Sequence, residues 1–233
     1  MCIRDSGDAS SLSFHTSVET TSVDAETPLY DNFPGTAKES VGDQKILYVR
    51  TRYVDQLSAS WSEAQGQSDM AAISKHYANS SYGKLSFTVT YSPVLTLNES
   101  NDWFSDFDTS APLWTTPRFD ALSSTLYDET QAALTAMGYD LNAYDAVMFN
   151  TNAWSRLKTS WGGNTMIFMS HSITYLLEHE VGHSMGLQHA RALDANGQQV
   201  EYGNPYDMMG SGDYDAAQFG IYNKSKLGWL SNT

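Results

Sequence analysis

The sequence predicts an α+β fold built on a mixed, twisted and largely parallel sheet. Short β-prone runs at residues 46–49, 85–91, 146–149 and 165–169 alternate with segments whose apolar residues recur at helical spacing. Strands that alternate with helices tend to pair in parallel, because the chain crosses back over the sheet between them. A chain of 233 residues can bury a substantial core, and we expect one compact domain.

The beginning of the chain, residues 1–43, is predicted to lie outside this domain. It is polar, acidic and without periodicity, which is typical of a disordered leader or of the remnant of a preceding segment. Residues 1–6 differ in character from the stretch after them and are interpreted as a non-native leader or as the edge of a fragment. The folded domain is therefore expected to span residues 44–233.

The first three elements follow from local patterns. Residues 46–49 are almost continuously apolar, as in a strand covered on both faces. From Ser68 the apolar residues fall at helical spacing, and residues 79–83 supply a stop. Apolar and polar residues alternate over residues 85–91, which predicts a strand with one face on the core.

A second helix is predicted to begin at Pro117, with Thr116 as its N-cap, and to end at Gly138. Buried strands are then predicted at residues 146–149 and 165–169. The buried stripe of the helix is expected to consist of Phe119, Leu122, Leu126, Ala133, Leu134 and Met137.

Charge and composition exclude several classes of function. The chain has 13 basic and 27 acidic residues and a net charge of -14, which argues against nucleic acid as a partner. No apolar run approaches the roughly 18 residues of a membrane helix, so no membrane span is expected. Cys2 is the single cysteine, which excludes an intrachain disulfide and disfavours a cysteine metal ligand. The acidic surface suits an extracellular or saline setting. It is compatible with bound Ca2+, although no loop matches a Ca2+-binding motif. A monomer is expected.

The residues that carry chemistry lie on one predicted helix and just after it. Apolar residues recur at every fourth position within residues 172–187, which predicts a helix that docks onto the sheet. His179 and His183 lie four residues apart on it, about 6 Å along the axis, so both imidazoles can converge on one ion. Gly186 tolerates the left-handed backbone that ends a helix, so the chain can turn and bring His189 back toward them.

Three histidine nitrogens predict a catalytic zinc site with one Zn2+ ion. They leave one coordination position for water, whereas a structural site is closed, and nitrogen ligands suit zinc. Glu180 follows the first histidine and is the expected general base, taking a proton from metal-activated water and returning it to a leaving amine. This chemistry hydrolyses an amide bond without a serine or cysteine nucleophile.

The histidine motif has two other interpretations. In the first, the histidines are ordinary core residues. Three histidines and a glutamate at one helix end would be a poor core unless a metal paired them. A metal-holding peptide-binding or adhesion module without turnover is the alternative function, and Glu180 argues against it because such a module needs no base. The other histidines, His15, His76 and His171, are interpreted as structural or surface residues.

The sequence after the histidines extends the pattern. Residues 204–210 read Asn-Pro-Tyr-Asp-Met-Met-Gly, and with the long histidine motif they resemble the Met-turn of metzincin zinc metallopeptidases. In those enzymes a methionine lies beneath the metal-bound histidines; the matching residue here is Met209, with Met208 as the fallback. Residues 79–85 and 226–230 are similar to gametolysin-type peptidases and to immune-inhibitor-A-like bacterial relatives.

The resemblance implies a metzincin-like zincin with two long helices, one of which bears the metal motif. Residues 44–189 would form the upper subdomain, and residues 190–233 a small lower subdomain that contains the Met-turn. It also implies a secreted zinc endopeptidase whose substrates are extracellular or cell-wall proteins.

Substrate contacts are expected from two places. Residues 165–169 are interpreted as an exposed edge strand to which a peptide could add, with an interior strand as the alternative. Ser211 stands where astacin-like enzymes carry a metal-reaching tyrosine, which puts a fifth metal ligand in doubt. Tyr214 is near enough in sequence to be the residue that stabilises an oxyanion.

Overall fold

A computed structural model describes residues 39–59, 61–100, 117–150, 160–162, 166–169, 174–210 and 218–230. Within these residues the helices are α1 (Glu63–Ser80), α2 (Pro117–Ala136), α3 (Thr174–Ser184) and α4 (Ile221–Lys226), with a 3-10 turn at Leu141–Ala143. The strands are β1 (Gly42–Arg52), β2 (Leu85–Tyr91), β3 (Leu95–Thr96), β4 (Ala146–Asn150), β5 (Ser160–Gly162), β6 (Met166–Met169), β7 (Ala192–Leu193) and β8 (Gln199–Val200).

The main sheet is largely parallel. Its strands lie in the order β2-β1-β4-β6-β5, and β3 pairs with the end of β1. All neighbours run parallel except β5, which is antiparallel to β6. Helix α1 forms the crossover between β1 and β2. The predicted class, helices on a mixed and largely parallel sheet, is therefore confirmed.

The core lies on both faces of β1. Ile46 and Tyr48 belong to one apolar cluster and Leu47 and Val49 to the other, because successive strand residues face opposite sides. The first cluster contains side chains of α1, α3 and the C-terminal segment, and the second contains those of α2. These four residues are at most 1% exposed, so the strand is covered on both faces as predicted.

The expectation that residues 165–169 form an exposed edge strand is wrong. β6 lies between β4 and β5 and pairs with both, so it is an interior strand. Its continuous hydrophobicity is the physical reason, since an interior strand of a covered sheet has no polar face. The short strand β5 is the outermost strand on this side of the sheet.

Helix α1 begins at Glu63, earlier than the predicted start at Ser68. Ser62 caps it, and the Ser62 side-chain oxygen accepts a hydrogen bond from the Gln65 N–H at 3.1 Å. The first turn is thus held by its cap rather than by apolar contacts, which is why apolar periodicity did not include it.

Helix α2 begins at Pro117 as predicted, and Gly138 follows its end with a φ of 89°. Leu126 and Leu134 are fully buried, but Met137 is 46% exposed, so its place in the buried stripe is wrong. Met137 lies beyond the last helical residue, where the helical spacing no longer applies. Thr116 and the side chains of Phe119 and Leu122 lie outside the described residues.

In the described residues, α3, which bears the histidines, has 11 residues, whereas α1 and α2 have 18 and 20. Helix α3 ends at Ser184, before the predicted end at residue 187. That a long helix carries the motif stays a prediction. After α3 come the hairpin of β7 and β8 and the short helix α4. In the described parts of the chain, no helix combines the length and apolar character needed to cross a membrane. The division into subdomains at residue 190 stays a prediction.

Candidate metal centre

Helix α3 brings the first two predicted ligands together. The rings of His179 and His183 lie one turn apart, with centroids separated by 4.7 Å, and their Nε2 atoms are 3.1 Å apart. The opposite side of the helix carries Leu177 and Val181, which are buried against the sheet. The apolar residues thus fix the helix, and the histidines project from the face that remains.

The third ligand arrives through a turn at Gly186. This glycine has a φ of 82°, and its N–H donates to the His183 carbonyl at 2.8 Å. Leu187 N–H donates to the Gly182 carbonyl at 3.1 Å, which closes the end of the helix. His189 then returns, with its Nε2 3.1 Å from that of His183. The left-handed turn predicted at Gly186 is confirmed.

The three histidines form a group that could hold a metal ion. Their ligand atoms all lie within 4.8 Å of one another. Tetrahedral zinc with Zn–N bonds of about 2.0–2.1 Å would place its nitrogens about 3.3 Å apart, close to the observed separations. Among the described residues, this is the only such group of three or more metal-ligating side chains.

Hydrogen bonds to Nδ1 determine the tautomer of each histidine. His179 Nδ1 lies 2.9 Å from the Met208 carbonyl oxygen, and His183 Nδ1 lies 2.8 Å from that of Leu187. His189 Nδ1 lies 2.8 Å from Oε1 of Glu201. Each acceptor is an oxygen without a hydrogen, so each Nδ1 must donate. The Nε2 atom of every neutral ring therefore presents a lone pair to the centre of the group.

Burial keeps these rings neutral. It lowers the pKa of His179 to about 4 and that of His183 to about 3, and it also lowers the pKa of His189. Three lone pairs then face one another at hydrogen-bond distance without a proton between them. A bound cation relieves this repulsion, and neutral imidazole is the form that binds metals.

Glu180 is buried beside the first ligand. It is 6% exposed, and burial raises its pKa to about 8. Its Oε2 atom is inaccessible and has no hydrogen-bond partner in the described part of the chain. A cation at the three histidines would stabilise the carboxylate and lower this pKa again. Both the Oε2 atom of Glu180 and the three histidine nitrogens therefore fit a metal ion bound at this site.

Met209 lies beneath the histidine helix. It is fully buried, and a Cβ added at Gly182 would lie 2.5 Å from the Met209 sulfur. Met208, its neighbour, supplies the carbonyl that orients His179. The Met209 carbonyl accepts a hydrogen bond from Ala190 N–H at 2.7 Å, so this turn also supports the residue next to His189.

Asp207 holds the turn in place. Its carboxylate accepts hydrogen bonds from the N–H groups of Met209 and Gly220 at 2.9 and 3.0 Å. The Asn223 amide also donates to both of its oxygens, at 3.1 and 3.0 Å. These hydrogen bonds join the start of α4 to the turn that contains Met209.

Two residues near the site were not predicted. Glu201 accepts from His189, and the ring of Tyr202 lies over the same histidine with a centroid separation of 3.9 Å. Burial, and then the charges of Glu201 and Glu180, raise the pKa of Tyr202 to about 12. Their spacing in the sequence predicts neither contact, because the hairpin of β7 and β8 brings both residues to His189.

The remaining predicted residues lie elsewhere. Tyr214, Ser211, His15 and His171 fall outside the described residues. His76 lies on α1, where its Nδ1 is 3.6 Å from Oε2 of Glu178, and it is not part of the histidine group.

Comparisons with known proteins assign no family to the chain. A comparison with protein-family models finds no match, and one with curated proteins finds none either. Among solved structures, one described as the structure of a chaperone-substrate complex is similar with a TM-score of 0.42 and 15% sequence identity. The match covers 83% of this chain and 31% of the other.

Proposed function

We propose that this chain is a zinc-dependent endopeptidase of the metzincin type. The observation that carries the proposal is the convergence of three neutral histidine Nε2 atoms beside a buried glutamate, one oxygen of which has no hydrogen-bond partner among the described residues. The four side chains belong to a long motif with a glycine before the third histidine, a spacing typical of these peptidases.

Zinc is the metal that suits this donor set best. Three imidazole nitrogens with tetrahedral spacing leave a fourth position for water or substrate. Carboxylate-rich sites favour calcium or magnesium instead, and this group has no carboxylate among its members.

The chain's own residues supply the proton transfers of peptide hydrolysis. A zinc ion held by the histidines would polarise the scissile carbonyl and acidify water. Glu180 accepts one proton as the water oxygen forms its bond to the carbonyl carbon. It then donates this proton to the amide nitrogen as the C–N bond breaks, which yields a carboxylic acid and an amine, and the acid passes its proton to the amine.

The finer assignment rests on the residues after the third histidine. Met209 beneath Gly182 supports the interpretation of residues 204–210 as a Met-turn. The similarity to gametolysin-type peptidases, and with it secretion and action on extracellular or cell-wall proteins, is part of the same proposal. Tyr214 keeps its proposed role in stabilising an oxyanion.

An extended peptide substrate could pair with β5. This strand ends the sheet, and in the described part of the chain no strand pairs with its outer side. Backbone pairing along such an edge holds a peptide whatever its side chains are.

The test is digestion of casein or gelatin by the purified protein. Cleavage should stop with a chelator, resume with zinc, and fall about 100- to 10,000-fold in Glu180→Ala, since that variant lacks the base. Glu178→Gln is the matched control, because Glu178 is a buried neighbour that contacts His76 instead of the histidine group.

The outcomes separate the two functions considered. Cleavage that persists in Glu180→Ala would refute the mechanism. Zinc and peptide binding without hydrolysis of any member of a broad peptide library would favour the binding module.

A further inference from the structure

The third histidine is held differently from the first two. His179 and His183 are fixed on α3 and donate to main-chain carbonyls. His189 lies in the segment after the helix, outside regular secondary structure, and donates to the charged side chain of Glu201 at 2.8 Å. Its orientation therefore depends on a contact from another part of the chain.

Tyr202 contacts the same histidine from a second direction. Its ring is tilted by 37° to that of His189, with centroids 3.9 Å apart, and its centroid is 6.0 Å from that of His179. Glu201 thus meets His189 in the plane of the ring, at Nδ1, while Tyr202 covers its face. Two consecutive residues restrict both rotation and tilt of the imidazole.

The backbone that presents this pair is itself unusual. Tyr202 has a φ of 57°, a left-handed conformation that a bulky side chain rarely adopts. Gly203 follows, and a Cβ there would lie 2.7 Å from the Val200 carbonyl oxygen and 3.0 Å from Ala192 N. The turn after β8 is therefore packed tightly against β7. Such strain persists where the surroundings enforce it, and it often accompanies a functional contact.

We propose that Glu201 and Tyr202 form a clamp that positions His189 for the metal. Glu201 holds the proton on Nδ1 and makes Nε2 a stronger donor to the metal, as carboxylates beside metal-bound histidines do. Tyr202 keeps the ring facing the other two histidines. This inference rests on the metal-binding part of the proposed function and is independent of peptide hydrolysis.

The experiment measures zinc affinity of the metal-free full chain by competition with a chromophoric chelator. Glu201→Ala should weaken zinc binding about 10- to 100-fold, the usual effect of losing such a partner. Glu201→Gln should weaken it less, because the amide oxygen still accepts from Nδ1. Tyr202→Ala removes the ring that covers His189 and should also bind zinc more weakly.

Glu63→Gln is the matched control. Glu63 is a half-exposed glutamate like Glu201, with side-chain exposures of 54% and 51%, and it pairs with Arg50 at 3.2 Å. Glu63→Gln removes one negative charge, as Glu201→Gln does, but from a residue that pairs with Arg50 instead of His189. The zinc affinity of this variant should therefore equal that of the unaltered chain.

A second measurement separates positioning from general stability. The absorption spectrum of the cobalt-loaded protein should shift in Glu201→Ala, while thermal unfolding of the metal-free variant should match that of the unaltered chain. Equal zinc affinity in Glu201→Ala and the unaltered chain would overturn the clamp. If the zinc affinities follow these expectations but no substrate is hydrolysed, only the proposed peptidase activity is contradicted. If the unaltered chain binds no zinc, both the clamp and the proposed function are contradicted.

Discussion

At the scale of single residues, the candidate metal centre depends on the proton that each histidine carries. The motif predicts three ligands, and the structure brings all three together. The acceptors that orient His179 and His189 were not predictable, because they lie 29 and 12 residues away in the chain. Only folding places them, whereas the spacing of the ligands is a local property of one helix and one turn.

The turn at Gly186 gives a residue-scale prediction. Gly186 and Gly197 have similar left-handed backbones, with φ of 82° and 77°. Alanine at either position should lower the free energy of unfolding by about 1 kcal/mol, because a Cβ disfavours this conformation. Only Gly186→Ala should also weaken zinc binding, since this turn directs His189. Urea unfolding and chelator competition measure the two effects, and equal zinc affinities would contradict the role of Gly186.

At the scale of elements, the accuracy of the sequence predictions followed the strength of the local signal. The strand over residues 85–91 is confirmed to the residue, because alternation has a single interpretation there. Helix α1 started early because Ser62 caps a turn that has no apolar periodicity. The place of β6 inside the sheet was missed because the neighbours of a strand are set by pairing between distant segments.

The packing of α3 on the turn below it gives an element-scale prediction. A Cβ at Gly182 would lie 2.5 Å from the Met209 sulfur and 3.4 Å from the Phe219 ring. Gly182→Ala should therefore lower the free energy of unfolding by about 1–3 kcal/mol through overpacking. Met209→Ala removes the obstructing side chain, so the double variant should be less destabilised than the sum of the single variants. Denaturant unfolding of all four proteins measures this coupling, and strict additivity would show that the two elements do not meet there.

At the scale of the whole molecule, the class of fold followed from the alternation of strands and helices. The side of the sheet on which each helix packs could not be predicted, since periodicity defines an apolar face but not the surface that it contacts. Helices α1 and α3 share one face, which places His76 of α1 beside Glu178 of α3. Both side chains are largely buried, so burial raises the pKa of Glu178 to about 7. The contact joins a neutral histidine to a carboxyl group rather than forming an ion pair.

The burial of His76 predicts a pH dependence of stability. Burial and then the charge of Lys224 lower the pKa of His76 from 6.5 to about 4. Between these values the unfolded chain binds a proton at His76 that the folded chain does not, so the contribution of His76 to stability falls as the pH falls from 6.5 towards 4. His76→Gln removes this loss, and between pH 7 and pH 5 the variant should gain about 2 kcal/mol relative to the unaltered chain. Urea unfolding of the metal-free proteins at both pH values measures it, and a constant difference would contradict the lowered pKa.

The most direct measurement of the central claim is a zinc titration of the chelator-treated protein, with peptide hydrolysis followed at each addition. Activity should rise in proportion to added zinc and reach a plateau at one ion per chain. Glu180→Ala should bind the same single ion without hydrolysis. Activity that is independent of zinc, or hydrolysis by the zinc-loaded Glu180→Ala protein, would contradict the central claim.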